Sequence, residues 1–187
     1  MSATIRIAAL CGSLRQGSFN RRLIAVARQV APPEASIETA EIRDLPLYDE
    51  DVERAGIPAP VARLRGEIAA ADAILFACPE YNFSITAALK NAIDWASRPP
   101  APPIVGKPFA VMGAGGRLGA ARAQYHLRQI CGALDMKGVN KPEVFIANAS
   151  AQFGQDGDLT DETARKLIAE LVDNLCRWGV RLKAAQP

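Results

Sequence analysis

At 187 residues the chain is long enough to bury about two thirds of its unfolded surface around a core. Its 49% hydrophobic and 22% charged composition is that of an ordinary globular protein, and a formal net charge of +2 offers no field for a polyanion, so nucleic acid is not expected as a partner. No apolar run approaches the roughly 18 to 20 residues of a membrane helix, and the N-terminus has no signal-peptide stretch, so a soluble, cytoplasmic protein is expected.

Ile5 to Leu10 is a continuous apolar run that ends in a glycine loop, which is the pattern of a strand inside a parallel sheet. A helix is expected to start near Ser18 to Asn20, to carry Leu23, Ile24, Ala27, Val30 and Ala31, and to stop at Pro32-Pro33. Ser36 to Ile42 alternates as an edge strand does, and the acidic, proline-punctuated stretch Asp44 to Asp51 reads as a surface loop. A helix from about Pro60 to Ala71 leads to the strand Ala73 to Cys78, which Pro79 ends. From Ser84 to Ser97 the residues Ile85, Ala88, Leu89, Ala92, Ile93 and Ala96 form one helical stripe. Lys107 to Met112 is a fourth strand, followed by the glycine-rich turn Gly113 to Gly119 and a helix through about Cys131. Val144 to Ala147 is a fifth strand. The last helix is expected from Thr160, with Asp161 and Glu162 in its first turn, where negative charge suits the helix dipole.

Five strands alternating with five helices predict a three-layer, doubly wound parallel sheet in a single domain over residues 1–187. Ligands in such sheets sit beyond the carboxyl ends of the strands, at the point where strand order reverses. That singles out the loops after the first, third and fourth strands.

The first, Cys11 to Asn20, joins a strand to a helix N-terminus, so its amides make an anion site that Arg15, Ser13, Ser18 and Asn20 reinforce. Gly12 and Gly17 have the spacing of a triphosphatase loop, but Ser18 and Phe19 stand where Lys and Ser/Thr are required, which disfavours triphosphate chemistry. Taken alone, the loop also fits a glycine-bearing turn capped by serine. The second, Pro79 to Ser84, places aromatic groups beside backbone donors, as a planar ligand needs; Tyr81 and Phe83 equally fit a simple cover for the core. The third lacks bulky groups apart from Arg117 and Leu118, and it is not the dinucleotide fingerprint, because Leu118 occupies the third glycine position. Four cysteines, Cys11, Cys78, Cys131 and Cys176, form no CxxC pair and His126 is the single histidine, so no metal site is expected. The thiols read as buried and reduced, with Cys11 and Cys78 closest to the loops.

Together these blocks resemble the NADPH-dependent FMN reductase family, in particular its bacterial quinone and chromate reductases. The resemblance rests on Gly12 to Asn20, on Pro79-Glu80-Tyr81-Asn82, on Leu89 to Trp95, on Gly106-Lys107-Pro108 and on Ala121 to Gln129. It implies a flavodoxin-like sheet of order 2-1-3-4-5, noncovalent FMN, and a homodimer or homotetramer with flavin near the interface. Ser13, Arg15, Ser18, Phe19 and Asn20 would then surround the phosphate and ribityl end, and Pro79, Glu80, Tyr81 and Asn82 would line the isoalloxazine. The family often carries a serine in the third loop where this chain has Gly113-Ala114-Gly115, so backbone amides of Gly115 to Gly119, including Gly116, and the side chain of Arg117 are the candidates there.

The expected chemistry is a ping-pong hydride transfer from NAD(P)H through flavin N5 to a small acceptor such as a quinone, chromate, an azo compound, a ferric chelate or a free flavin. No side chain is expected to act as nucleophile. Arg122, Tyr125 and Glu143 are candidate subunit contacts, the first two sharing one helix face. Rival readings are a flavodoxin-type electron carrier without NAD(P)H oxidation and a flavin-free binding module.

Overall fold

The structure, a computed structural model, describes residues 4–185. Strand β1 (Ile5–Cys11) leads into helix α1 (Phe19–Val30) and strand β2 (Ala35–Ala40). A short helix α2 (Glu50–Ala55) precedes α3 (Ala59–Ala70), β3 (Ala73–Ala77) and α4 (Ala87–Ala96). Then come β4 (Pro108–Ala114), α5 (Ala121–Ala133), β5 (Lys137–Gly138), β6 (Val144–Ile146), α6 (Ala149–Gln152) and the long α7 (Glu162–Ala184). All pairings in the sheet are parallel, in the order β2-β1-β3-β4-β5, with β6 also paired to β4. This is the flavodoxin-like order expected, and it reverses between β1 and β3.

Alternation along the central strands divides the core in two. Ile5, Ile7, Ala9, Leu75, Ala77, Ala110 and Met112 face α1 and α7, whereas Ala8, Leu10, Ile74, Phe76, Phe109 and Val111 face α3, α4 and α5. Both sides of β3 are fully buried, as an interior parallel strand requires. On the first face Gly179 of α7 lies against Ile5 and Ala73.

Several boundaries differ from the sequence expectation, among them the end of β4, which runs on through Gly113 to Ala114. The fifth strand is split: Lys137–Gly138 pairs with Pro108–Phe109, and Val144–Ile146 pairs with Met112–Ala114. Pro142, which has no N–H to donate, lies in the gap. Helix α4 starts at Ala87, where the Thr86 hydroxyl caps Leu89 N–H, because Ser84 belongs to the preceding turn. Helix α7 starts at Glu162, capped by the Asp161 carboxylate on the amides of Thr163 and Ala164. Finally, α2 begins inside the acidic stretch expected as a loop. That stretch is pinned from α4, where the Trp95 indole and the Asn91 amide both donate to Pro46 O at 2.8 Å. No helix among the described residues is long and apolar enough to cross a membrane.

Candidate functional site

At the carboxyl ends of β1, β3, β4 and β6 a cleft of about 370 Å³ opens, lined by Ser13, Arg15, Ser18 and Phe19, by Pro79 to Tyr81, by Ala114 to Gly116 and by Asn148 to Ser150. Grooves of similar volume exist elsewhere, one along β2 and α3 beside Glu67, another at the opposite end of the sheet beside Lys107. The first lies along an edge strand, and neither adjoins the loops at the strand-order reversal.

The first loop keeps its donors unspent. Ser18 caps α1 by accepting from Arg21 N–H at 3.4 Å, which leaves its own hydroxyl proton available. Ser13 is buried at the cleft wall, and its hydroxyl has no partner among the described residues. The Arg15 guanidinium lies 5.4 Å from the centre of the Phe19 ring and has no carboxylate partner among the described residues. Phe19 in turn stacks on Phe153 at 5.3 Å, fixing the loop to the segment before α7. Amides at the N-terminus of α1, two hydroxyls and one free guanidinium therefore converge where a phosphate's charge would be best satisfied.

Asn20 differs from the expectation. Its Nδ2 donates to Ala114 O at 2.9 Å and its Oδ1 accepts from Ala114 N–H at 3.0 Å, so the buried amide clamps α1 to β4. It lines the cleft but has its main polar valences occupied within the protein.

The second loop is a tight hairpin. Tyr81 and Ser84 exchange both backbone hydrogen bonds at 3.0 Å, and Asn82 and Phe83 both have positive φ, 49° and 66°. For a non-glycine pair this backbone is costly, and the anchoring is correspondingly dense. The Arg122 guanidinium sits 3.8 Å over the Phe83 ring, and His126 Nδ1 lies 3.0 Å from Ser84 Oγ. Glu80 turns away from the cleft: its carboxylate accepts from Arg122 N–H at 3.0 Å, Ala123 N–H at 3.2 Å and Arg122 Nη1 at 2.9 Å. It thereby caps α5, whose own N-cap residue Ala120 has no side chain able to do so. The hairpin presents two rings outward, Tyr81, 57% exposed and lining the cleft, and Phe83, 64% exposed under Arg122.

Four expected residues do not line the cleft: Asn82, Gly113, Arg117 and Gly119. Asn82 occupies the hairpin tip, and Arg117 is exposed beyond the wall formed by Gly115 and Gly116. Gly113 is a β4 residue, where a Cβ would lie 2.6 Å from Cys78 O. Gly119 has φ 56° and packs against β6, a Cβ there falling 2.6 Å from the Phe145 carbonyl carbon. Among the candidate amides, Gly115 N–H already donates to Ile146 O and Gly119 N–H to Gly116 O, so those of Gly116 to Leu118 remain for a ligand. Conversely, Asn148, Ala149 and Ser150 line the cleft without having been expected. The same rule of strand carboxyl ends would have found them, but Asn148 to Ser150 include neither a glycine nor an aromatic residue to attract notice.

The cysteines nearby are inert by environment. Burial pushes the Cys11 thiol up, and it pushes Cys78 up to about 12. Of the candidate subunit contacts, Arg122 is bonded to Glu80 as above, and Tyr125 Oη donates to Glu143 Oε1 at 3.0 Å, also within the chain. Hydrogen bonds from Lys141 and Tyr125 hold the Glu143 carboxyl below its usual range, while the same bond to Glu143 raises Tyr125.

Residues 5–151 match the model of the family described as NADPH-dependent FMN reductase. The chain is 51% identical over 184 residues to an NAD(P)H-dependent FMN reductase of Pseudomonas aeruginosa, covering 98% of this chain and 100% of that one. It is 45% identical to an NAD(P)H:quinone oxidoreductase of Solanum tuberosum, with 96% and 95% covered. Among solved structures it is similar to FerB, a flavoenzyme NAD(P)H:(acceptor) oxidoreductase from Paracoccus denitrificans, with 36% identity, a TM-score of 0.87, and 95% and 98% of the two chains covered.

Proposed function

Because the chain belongs to the NADPH-dependent FMN reductase family, whose matched residues span every loop of the cleft, we propose that this cleft holds FMN with its phosphate at the first loop and its ring beside Tyr81. The enzyme is an NAD(P)H-dependent oxidoreductase of the FMN and quinone reductase type. The observation that carries the placement is the unspent donor set of Ser13, Arg15 and Ser18 at one end of a cleft whose other end is an exposed aromatic on a rigid hairpin. Bound FMN supplies the two-electron chemistry that accepts hydride and passes it on.

The chain's own residues bind, orient and shield. Arg15 would set its positive charge against the phosphate and Ser13 and Ser18 would donate hydroxyl hydrogen bonds to it, with Phe19 beside the guanidinium helping to keep it in place. Pro79, Glu80 and Tyr81 would supply one wall through backbone and ring, and the Gly116 amide, which lines the cleft and has no backbone partner among the described residues, would donate to the negative charge that reduction brings. Asn20 acts by holding α1 and β4 in register. The exposed side of Tyr81 serves donor and acceptor in alternation, which makes the mechanism ping-pong. Planar, electron-poor acceptors, quinones foremost, azo compounds and free flavins among them, stack on that surface, and chromate and ferric chelates, which are not planar, take electrons at the same exposed site. Tyr81 at the cleft, with Phe83 on the same hairpin, is exposed, and the same reading takes the protein as a cytoplasmic single-domain chain that pairs with further copies through that side.

Anaerobic NADPH or NADH should bleach one FMN per chain, and steady-state rates with NADPH and a quinone should give parallel reciprocal plots. A holoprotein that neither nucleotide reduces would overturn the reading, and intersecting lines would overturn the alternation.

A further inference from the structure

We propose that Asn148 and Ser150 form a strip that recognises the polyhydroxylated chain linking phosphate to ring, a role separate from the anion site and from the aromatic wall. The inference rests on the placement of FMN in this cleft. The stretch Asn148 to Phe153 joins the two ends of the cleft: Asn148 N–H donates to Gly116 O and Ala149 N–H to Gly115 O, both at 2.9 Å, while Phe153 stacks on Phe19 of the first loop at 5.3 Å. Its far end is fixed too, since Thr160 donates from N–H at 2.9 Å and from its hydroxyl at 3.1 Å to Gln152 O.

The anchoring is done by backbone and ring, so the side chains of Asn148 and Ser150 are free. Both are exposed, both line the cleft, and neither has a hydrogen-bond partner among the described residues. Asn148 adopts φ 48°, ψ 47°, a left-handed conformation that asparagine accepts more readily than most residues. A carboxamide offers both donors and acceptors, and so does a hydroxyl, which is the complement that successive hydroxyl groups require. Asn20, one of the first-loop residues expected at the ribityl end, has its amide engaged with Ala114 and leaves that task open.

The test is fluorescence titration of the full chain, freed of flavin, with FMN, riboflavin and lumiflavin, which has the ring but neither polyol nor phosphate. Asn148→Gly keeps the positive φ while removing the carboxamide, and Ser150→Ala removes the hydroxyl. Each variant should bind FMN and riboflavin about three- to tenfold more weakly, with equal factors for the two, and should bind lumiflavin as the wild type does. Unchanged FMN affinity in the double variant, or an equal loss for lumiflavin, would overturn the proposal. Arg15→Ala separates the underlying reading: it should weaken FMN and spare riboflavin, and if it spares FMN the placement of the phosphate fails, whatever Asn148 and Ser150 do. Circular dichroism and melting of each flavin-free variant identify a loss due to unfolding, and a variant that melts early and binds all three flavins poorly counts against a specific role.

Discussion

The first loop and the Pro79–Ser84 hairpin both leave the sheet beside a buried cysteine, yet they use their polar groups in opposite ways. The first loop leaves the Ser13 hydroxyl, the Arg15 guanidinium and the amides of Phe19 and Asn20 without internal partners, whereas the hairpin turns Glu80 and Ser84 onto Arg122 and His126 of α5 and presents rings. The difference teaches that polarity in a cleft is not itself recognition. Donors that the protein has already satisfied build the shape, and those it has not satisfied are the ones a ligand reads.

The most disruptive way to break that contrast is to remove the clamp on which the first loop rests. Asn20→Ala should leave the Ala114 N–H and carbonyl buried without partners and cost about 2–4 kcal/mol of stability, read from the urea midpoint. A loss below about 0.5 kcal/mol would mean that both Ala114 groups find other partners once the clamp is cut. Second, Glu80→Ala should cost about 1–2 kcal/mol by uncapping α5. A double-mutant cycle with Arg122→Ala should return a coupling of up to about 1 kcal/mol, because Arg122 is substantially exposed. A null coupling would show that the hairpin is held by other means.

The smallest effect concerns the buried thiols below and behind these loops, Cys78 and Cys131, both pushed up to about 12 by burial from an ordinary 9.0. Folded thiols keep their protons where unfolded ones lose them, so this contribution to stability is complete below about pH 9 and declines from there toward pH 12. Each should cost on the order of 1 kcal/mol one pH unit above 9. Cys78→Ala should flatten that alkaline decline in melting temperature, and a decline of unaltered slope would contradict the assignment.

Much of the fold was legible because it rests on long apolar runs and helical stripes. Ala73–Ala77 and the α7 stripe are buried as their patterns require. Helix α2 was not, since it buries no residue and has no stripe to read, and β5 is two residues long, too short for any period. At the site, Ser13, Arg15 and Ser18, which line the cleft, could be read from the strand-loop-helix context alone, and Phe19 only from the family resemblance. The engagement of Asn20 with Ala114 and of Glu80 with Arg122 could not, because those bonds join residues 94 and 42 positions apart. Asn148 and Ser150 escaped for a related reason: their proximity to the first loop is set by the Phe19–Phe153 stack, a tertiary contact.

The claim that unspent donors of the first loop read the ligand's phosphate is tested most directly by the ratio of FMN to riboflavin affinity in wild type and Arg15→Ala. Because the substitution removes a charge-assisted, bidentate donor, the ratio should fall by about 10- to 100-fold while the melting temperature of the flavin-free chain stays put. A ratio that survives the substitution would contradict the account.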